Sequence, residues 1–218
     1  MEYSIDDLII YQDDQLIAIN KPTGILVQGD PSGSWNLTKA VEQKFKDQCY
    51  LVNRIDRPVS GIVLFALSKN TYNELIVKWK EEGTVKTYIA ITEGSWSAEK
   101  RKIEHRLIKG RNQKAIIRSD GKLSNMIVSS YPIYDRYTLC VIQLNTGRFH
   151  QIRSLLSNEG HAVKGDVKYG ARRKNDDRSI HLHCYQITIP GIIDIKCALP
   201  QKDILWEKAE EFLLKKDL

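Results

Sequence analysis

The sequence predicts an α+β fold, with a mixed, largely antiparallel sheet flanked by helices. Strand-like segments outnumber helical ones, and several follow one another with no crossover helix between them. The chain also opens with a hairpin pattern, in which two apolar runs flank the polar residues 12–15. Parallel strands need a long crossover connection, usually a helix, so this order argues against a Rossmann-type fold.

Short apolar runs predict the strands, and apolar residues at helical spacing predict the helices. In the second helix, Leu75, Ile76 and Trp79 recur at that spacing, and Gly83 follows as a stop signal. The predicted strands are 8–11, 16–19, 62–67, 86–91, 115–118, 126–128, 139–144, 180–189 and 192–198. The predicted helices are 38–45, 71–82, 148–158 and 203–214.

The chain has 218 residues and a hydrophobic content of 42%, as expected of a soluble globular protein. This length suffices for a sizeable core, and we expect a single domain over residues 1–218. No apolar stretch approaches the roughly 18–20 residues that cross a bilayer, so we expect no membrane association. The acidic N-terminus lacks the basic and apolar regions of a signal peptide, which predicts a cytoplasmic protein.

The four cysteines are scattered and form no Cys-x-x-Cys pair: Cys49, Cys140, Cys184 and Cys197. Zinc sites and redox motifs are recognised by close spacing, so the sequence gives no reason to expect a metal. Each cysteine lies in or beside an apolar stretch. We therefore expect reduced, mostly buried thiols.

The net charge of +6 favours an anionic partner. The basic residues concentrate in two clusters, which is the electrostatic pattern of nucleic-acid binding. Solvated charge on loops and strand edges would explain either cluster alone. The first cluster is Lys100, Arg101, Lys102, Arg106, Lys109, Arg111, Lys114 and Arg118, and the second is Lys164, Lys168, Arg172, Arg173, Lys174 and Arg178.

Residues 53–61 place one carboxylate, Asp56, between two arginines, Arg54 and Arg57, immediately before an apolar run. Pro58 fixes φ and Gly61 permits a positive φ, which predicts a tight turn leading into a buried strand. Such a turn would hold Asp56 rigid, ionised and aimed, as acid/base or nucleophilic chemistry requires. The alternative is an ordinary turn aspartate with flanking arginines on a solvated surface.

Three further segments combine glycine punctuation or strand ends with polar side chains. Residues 20–24 form a turn after a strand, and residues 86–88 begin another strand. Residues 146–153 open a helix and precede the glycine-rich segment 160–170. The helix N-terminus with Arg148 would suit a phosphate or another anion, although a capped helix followed by a polar loop explains the same pattern.

Together these segments resemble the RluA-type family of RNA pseudouridine synthases, over nearly the whole chain. The family pattern contains Asn-Lys-Pro-x-Gly, matched at 20–24, and Lys-x-Tyr, matched at 86–88. Its Thr-Gly-Arg-x-His-Gln-Ile/Leu-Arg motif matches residues 146–153, with the downstream Gly-His at 160–161 and Gly-Asp-x-x-Tyr-Gly at 165–170. Its catalytic segment, His-Arg-Leu-Asp-x-x-Thr-Ser-Gly, matches residues 53–61, except that Asn53 replaces His, Ile55 replaces Leu and Val59 replaces Thr.

The resemblance implies a pseudouridine synthase fold and isomerisation of specific uridines in structured ribosomal or transfer RNA. It implies a cofactor-independent reaction with no metal, carried out by a monomer made of the catalytic domain without an S4 RNA-binding domain. The catalytic residues it implies are Asp56, its ion-pair partner Arg153, and Tyr88 as the platform under the target base. The RNA-binding residues it implies are Arg54, Arg148, Lys86 and Leu182, the last as part of an apolar floor.

Two other functions remain open. The departures at Asn53 and Val59 would fit a catalytically inactive RNA-binding or chaperone protein that has kept the fold. A two-carboxylate hydrolase acting on a glycosidic bond would need a partner acid for Asp56, and Asp166 is the nearest candidate by motif. Within the leading hypothesis, Asp56 could attack C1′ of the ribose or remove its 2′ proton, and the sequence does not choose between these steps.

Overall fold

A computed structural model describes residues 3–29, 35–81, 83–97, 99–201 and 203–216. The chain forms two compact units. The first comprises Met1–Val85 and Cys184–Ala198, and the second comprises Lys86–His183 and Leu199–Leu218. The single domain expected over residues 1–218 stays a prediction.

The described residues form helices and strands with the following bounds. The helices are α1 Ile5–Leu8, α2 Leu37–Phe45, α3 Lys69–Lys78, α4 Gln151–Asn158 and α5 Ile204–Lys216. The strands are β1 Ile9–Gln12, β2 Leu16–Lys21, β3 Tyr50–Leu51, β4 Ser60–Ala66, β5 Val85–Glu93, β6 Glu99–Lys109, β7 Ala115–Ile117, β8 Lys122–Tyr134, β9 Tyr137–Leu144, β10 Leu182–Ile189 and β11 Ile193–Lys196. This is the mixed α+β architecture that the sequence predicts.

The first unit is built around β4, which is buried at every residue from end to end. Strand β2 pairs with it antiparallel, from Leu16 opposite Ala66 to Lys21 opposite Gly61, and β1 and β3 pair antiparallel with β2 and β4. Helix α3 packs on β4. Side-chain caps start the nearby helices, because the Asn36 and Ser68 side chains accept hydrogen bonds from the first turns of α2 and α3.

The second unit contains a run of antiparallel strands in the order β5, β9, β8, β6 and β7. Strand β9 pairs with β5 along its length, so that Tyr88 lies opposite Ile142 and Glu93 opposite Tyr137. Helix α4 packs against β6 and β7. The core of this unit includes Ile89 and Ile91, which are fully buried.

The structure corrects several element predictions. Strand β6 was not predicted, because charged residues fill most of it and only Ile103 and Leu107 are buried, so the sequence shows a charge cluster instead of an apolar run. Helix α3 ends at Lys78, before Gly83, and helix α4 begins at Gln151, three residues later than predicted. The short elements α1 and β3 were also not predicted.

All four cysteines are buried and free, as the sequence predicts. Burial raises the pKa of the Cys49 thiol to about 11 and that of Cys140 to about 12, so both are protonated thiols at neutral pH. Within the described residues, none of the helices is both long and apolar enough to cross a membrane.

At Gly61 the backbone of the first unit approaches another backbone segment closely. Its φ of +111° is one that other residues rarely adopt, and a Cβ built on it would lie 2.3 Å from the Cys184 carbonyl oxygen. Gly24 also has a positive φ, +88°, but a Cβ there would meet no atom within 4 Å. A comparison of alanine substitutions at the two glycines therefore separates the cost of backbone strain from the cost of a steric clash.

We predict that Gly61→Ala lowers the free energy of unfolding by about 3 kcal/mol or more, because strain and overpacking add. Gly24→Ala should cost about 1–2 kcal/mol, from strain alone. Urea denaturation of both variants at neutral pH measures the difference. Equal losses would show that the approach of Gly61 to Cys184 does not constrain the fold.

Candidate active site

The loop that contains Asp56 is fastened at its start by the amide side chain of Asn53. Asn53 Nδ2 donates to the Ile62 carbonyl at 3.1 Å, and its Oδ1 accepts from the Leu64 backbone N–H at 2.7 Å. The Asn53 side chain thus makes two hydrogen bonds with the β4 backbone, as the backbone of a neighbouring strand would. Asn53 therefore has a defined structural role, which the sequence left open.

Asp56 begins the tight turn that the sequence predicts. Its carbonyl accepts a hydrogen bond from the Val59 N–H at 3.0 Å, and Val59 is buried with 2% exposure. The Asp56 side chain is half-buried, whereas Arg54 and Arg57 are exposed. Val59 thus fills an apolar position where the family motif has Thr, so the missing hydroxyl leaves the turn intact.

Two reciprocal hydrogen bonds join the loop to the turn after β2. The Gly24 N–H donates to the Arg57 carbonyl at 2.8 Å, and Arg57 Nε donates to the Gly24 carbonyl at 2.8 Å. These contacts bring together two segments that the sequence identified separately, the turn at 20–24 and the loop at 53–61.

Lys21 lies beneath this junction and is completely buried, with 0% exposure. Its Nζ donates to the carbonyl oxygens of Pro22 at 2.8 Å, Ile25 at 3.1 Å and Arg57 at 3.4 Å. The ammonium group therefore ties the 20–24 turn to the residue that directly follows Asp56. The sequence placed Lys21 in a motif without giving it a role; a lysine ending an otherwise buried strand is the signal that could have indicated one.

The electrostatics of Lys21 link it to Asp56. Burial lowers the pKa of Lys21 to about 7, the negative charge of Asp56 acts to raise it, and the positive charge of Arg57 lowers it further. Lys21 is thus a buried cation whose protonation depends on the Asp56 carboxylate.

The remaining predicted site residues lie in the second unit. Lys86 and Tyr88 are two apart on β5 and so point to the same face; Lys86 is buried at 9% exposure and Tyr88 is half-buried. Leu182 is the first residue of β10 and is buried at 3% exposure. Its burial agrees with an apolar role.

Arg153 forms a buried, bidentate ion pair with Asp166. Arg153 Nε lies 2.6 Å from Asp166 Oδ2 and its Nη2 lies 2.8 Å from Oδ1, and the two side chains are 5% and 2% exposed. The sequence did not predict this pairing, since Asp166 was considered there only as a partner acid for Asp56. The ion pair expected between Arg153 and Asp56 stays a prediction.

Tyr169 packs beside this pair and connects it to His150. The Arg153 guanidinium carbon lies 5.0 Å from the centre of the Tyr169 ring. The Tyr169 hydroxyl accepts from the Ala115 N–H at 2.7 Å and lies 2.8 Å from His150 Nδ1. His150 thus makes a hydrogen bond within the protein.

The segment before α4 differs from the predicted capped helix. His150 adopts a left-handed conformation with φ 49°, and α4 begins only after it. Gln151 Oε1 accepts from the Arg148 N–H at 3.0 Å and from the Thr146 hydroxyl at 2.8 Å, so the Gln151 side chain closes this turn. Arg148 is exposed, and its Nε donates to the Leu123 carbonyl at 3.2 Å. Arg148 therefore presents charge to solvent beside the turn rather than within a helix.

Across the described ranges, His, Cys, Asp and Glu side chains form no group of three or more that could hold a metal ion. The buried charged groups of the predicted site include Lys21, which donates to backbone carbonyls, and Arg153, which pairs with Asp166.

We predict that the stability of the protein depends on pH through Lys21. Because its folded pKa of about 7 lies below its ordinary value of 10.5, the unfolded chain binds more protons between these values, and stability rises with pH across that window. The free energy of unfolding of the wild type relative to Lys21→Met should therefore be flat below pH 7 and increase from there to pH 10.5. Urea denaturation at a series of pH values measures it.

In the Asp56→Asn background the same rise should begin at a lower pH, because the charge that raises the Lys21 pKa is gone. Lys80→Met, at an exposed lysine of the same unit, is the control and should keep the wild-type profile. If wild type and Lys21→Met differed by a constant amount at every pH, Lys21 would not titrate in this range.

We predict that Asp166→Asn lowers the free energy of unfolding by about 3 kcal/mol, because it removes a carboxylate from a buried, bidentate pair. The matched control is Asp120→Asn, since Asp120 forms a bidentate pair with Arg118 on the surface, where both side chains are more than half exposed. That change should cost within about 0.5 kcal/mol. Thermal and urea unfolding would contradict the prediction if the two variants lost equal stability.

Comparisons with known proteins indicate the family to which the chain belongs. A family model described as RNA pseudouridylate synthase matches residues 15–158. The ribosomal large subunit pseudouridine synthase C of Vibrio vulnificus is 33% identical over 175 residues, which are 78% of this chain and 55% of that protein. The tRNA pseudouridine synthase C of Haemophilus ducreyi is 30% identical over 184 residues, 77% of this chain and 75% of that protein.

A solved structure, human RNA pseudouridylate synthase domain containing 4, matches with a TM-score of 0.77 at 20% identity, covering 96% of this chain and 94% of that one. This likeness shows the fold alone. The chain spans 55% of the length of the Vibrio vulnificus relative. Since the family model matches well over half of the chain, including the Asp56 loop, the chain belongs to the RNA pseudouridylate synthase family.

Proposed function

We propose that this protein is an RNA pseudouridine synthase that isomerises specific uridines in structured ribosomal or transfer RNA, with Asp56 as its catalytic carboxylate. The observation that carries the proposal is the Asp56 loop. A half-buried carboxylate sits on a turn held by Asn53, by the Gly24–Arg57 bonds and by the buried ammonium of Lys21. Catalytic groups are held rigid in this way because misplacement costs rate.

The proposed reaction needs only a positioned carboxylate and a suitable base pocket. The N1–C1′ bond of the uridine breaks, the uracil rotates, and a C5–C1′ bond forms; C5 then gives up its proton and N1 gains one. Atoms and electrons balance without an oxidant or a second substrate. Asp56 would begin the reaction either by attacking C1′ or by removing the 2′ proton.

Uridine must leave its stack before Asp56 can reach C1′, so the target base needs a platform. We assign this role to Tyr88, whose ring is half-buried on β5. Stacking of a base on an aromatic ring contributes roughly 1–3 kcal/mol. Leu182 would supply apolar surface at the base.

The cations of the predicted site are proposed to serve the RNA backbone. Arg54 and Arg148 are exposed and would contact phosphate groups, which position a nucleic acid without reading its sequence. Lys86 is buried beside Tyr88 on β5 and would act closer to the base. Arg153 would orient the catalytic carboxylate, and Asp166 would hold the Arg153 guanidinium.

The second candidate, an inactive RNA-binding protein, was motivated by Asn53 and Val59. Asn53 makes two hydrogen bonds to β4, and Val59 is buried in the turn. Both residues thus support the loop that presents Asp56, which favours the enzyme. A hydrolase using Asp166 as its acid is disfavoured, because both oxygens of that carboxylate bind Arg153.

We predict that Asp56→Asn lowers the rate of tritium release from RNA labelled with 5-³H-uridine by a factor of about 10² or more. This factor is the lower end of the range for loss of an acid/base group. The affinity of the variant for RNA should stay the same. The substrate is total RNA from cells that lack this protein, so that its target sites are unmodified. Asp14→Asn, the same chemical change at an exposed turn of the same unit, is the control and should release tritium at the wild-type rate.

Release by Asp56→Asn at the wild-type rate would remove Asp56 from catalysis. A wild-type protein that binds this RNA but releases no tritium would favour the inactive RNA-binding protein. If the wild type does release tritium, pseudouridine mapping of total RNA from cells with and without the protein identifies the modified uridine.

A further inference from the structure

A concave pocket of about 660 Å³ lies in the second unit, at the end of β5 away from Tyr88. Glu93 and Tyr137, which face each other across the β5–β9 ladder, line it together with the hairpin turn at Asp135 and Arg136. Tyr88 and Glu93 are five residues apart, roughly 17 Å along an antiparallel strand. The pocket is therefore separate from the proposed base platform.

Positive charge dominates the pocket wall. Five cations and two carboxylates line it, so that it carries a formal excess of three positive charges. Within the described ranges, none of the five forms an ion pair with a carboxylate. The cations are Arg136, Lys164, Arg172, Arg173 and Lys174.

The backbone that carries these cations is fixed in place. The Arg172 N–H donates to both carboxylate oxygens of Glu93, at 3.2 and 3.0 Å. These bonds anchor the basic tract, residues 172–178, to the end of β5. Glu93 is thus satisfied by a backbone donor. At the other side of the tract, Lys164 Nζ donates to Asn175 Oδ1 at 2.6 Å, and Asn175 Nδ2 donates to the Ser179 carbonyl at 3.0 Å.

The opposite wall is also rigid. The Gly94 N–H donates to the Arg136 carbonyl at 2.8 Å, and the Thr138 hydroxyl donates to the Gly94 carbonyl at 3.0 Å. A pocket whose walls are held by such bonds pays little ordering cost when an anion enters. The exposed side chains of Arg173 and Lys174 remain available to that anion.

We propose that this pocket binds phosphodiester groups of the substrate RNA at a distance from the uridine being isomerised. The inference rests on the proposed function, which supplies RNA as the anion. Roughly 17 Å is on the order of five base pairs of a nucleic-acid duplex. The pocket thus selects RNAs in which a stem or neighbouring strand extends that far from the target, and it reads shape instead of sequence.

The test compares Arg173→Ala/Lys174→Ala with Lys215→Ala/Lys216→Ala, which removes the same charge from the exposed end of α5. The probes are two synthetic RNA hairpins with the same uridine-containing loop and stems of about three or about ten base pairs. Binding is measured over a series of salt concentrations. The slope of log affinity against log salt concentration should become shallower by about 0.9 for each lost phosphate contact.

We expect the Arg173/Lys174 variant to lose affinity for the long hairpin and to show a slope shallower by about one to two, with little change on the short hairpin. The value of kcat/KM on the long hairpin should fall by the same factor as the affinity. Arg173→Lys/Lys174→Arg keeps both charges and should restore the slope. The α5 control should match the wild type on both probes.

Equal behaviour of the pocket variant and the α5 control on the long hairpin would overturn the inference, as would equal losses on both hairpins. Circular dichroism melting of each variant separates these outcomes from unfolding. The proposed function is tested by a different measurement, the release of tritium from total RNA. If the wild-type protein releases none, the proposed enzymatic function is wrong, whatever salt dependence the binding shows.

Discussion

The buried ammonium of Lys21 is the contact on which the Asp56 loop depends. A lysine with 0% exposure carries a large desolvation cost, which three backbone carbonyls and the nearby Asp56 charge offset only in part. Those carbonyls come from the turn after β2 and from the loop before β4, two segments already aligned because β2 and β4 pair directly. The strand pairing sets the coarse position of the loop, and the ammonium fixes its end. Because its pKa is about 7, this buried charge varies with pH near neutrality.

In the second unit, a buried cation is compensated by a carboxylate instead of by backbone carbonyls. Arg153 is also buried, but a carboxylate, Asp166, compensates it through two hydrogen bonds. A guanidinium suits this geometry since its planar fork matches a carboxylate, whereas an ammonium suits a ring of separate carbonyls. Exchanging Lys and Arg at either position would therefore disturb the local hydrogen bonding even though the charge is kept.

Sequence patterns predict most of the fold and the candidate loop, but they do not predict the contacts that hold this loop in place. The run that became β4 and the turn at Asp56 are local features, encoded by apolar residues, Pro58 and Gly61 in consecutive positions. The bond from Lys21 to Arg57 joins residues 36 apart, and the Arg153–Asp166 pair joins residues 13 apart across a glycine turn. Contacts of this kind depend on how separate elements pack, so periodicity and motif spacing do not encode them. Strand β6 was missed for a related reason, since only tertiary packing shows which of its residues are buried.

The placement of buried cations bears on function more directly than the total charge does. The chain has 33 lysines and arginines, yet within the described residues those that are buried are Lys21, Lys86 and Arg153. Each lies in a segment that the sequence singled out for chemistry. Burying a cation costs several kcal/mol before compensation, and apolar residues of similar volume would often stabilise a fold equally well. Three such costs in three separate candidate segments are not explained by stability alone, and they support the proposal that these segments position a catalytic carboxylate and bind RNA. The exposed cations, in contrast, cost little and suit the screened, sequence-independent contacts of an RNA backbone.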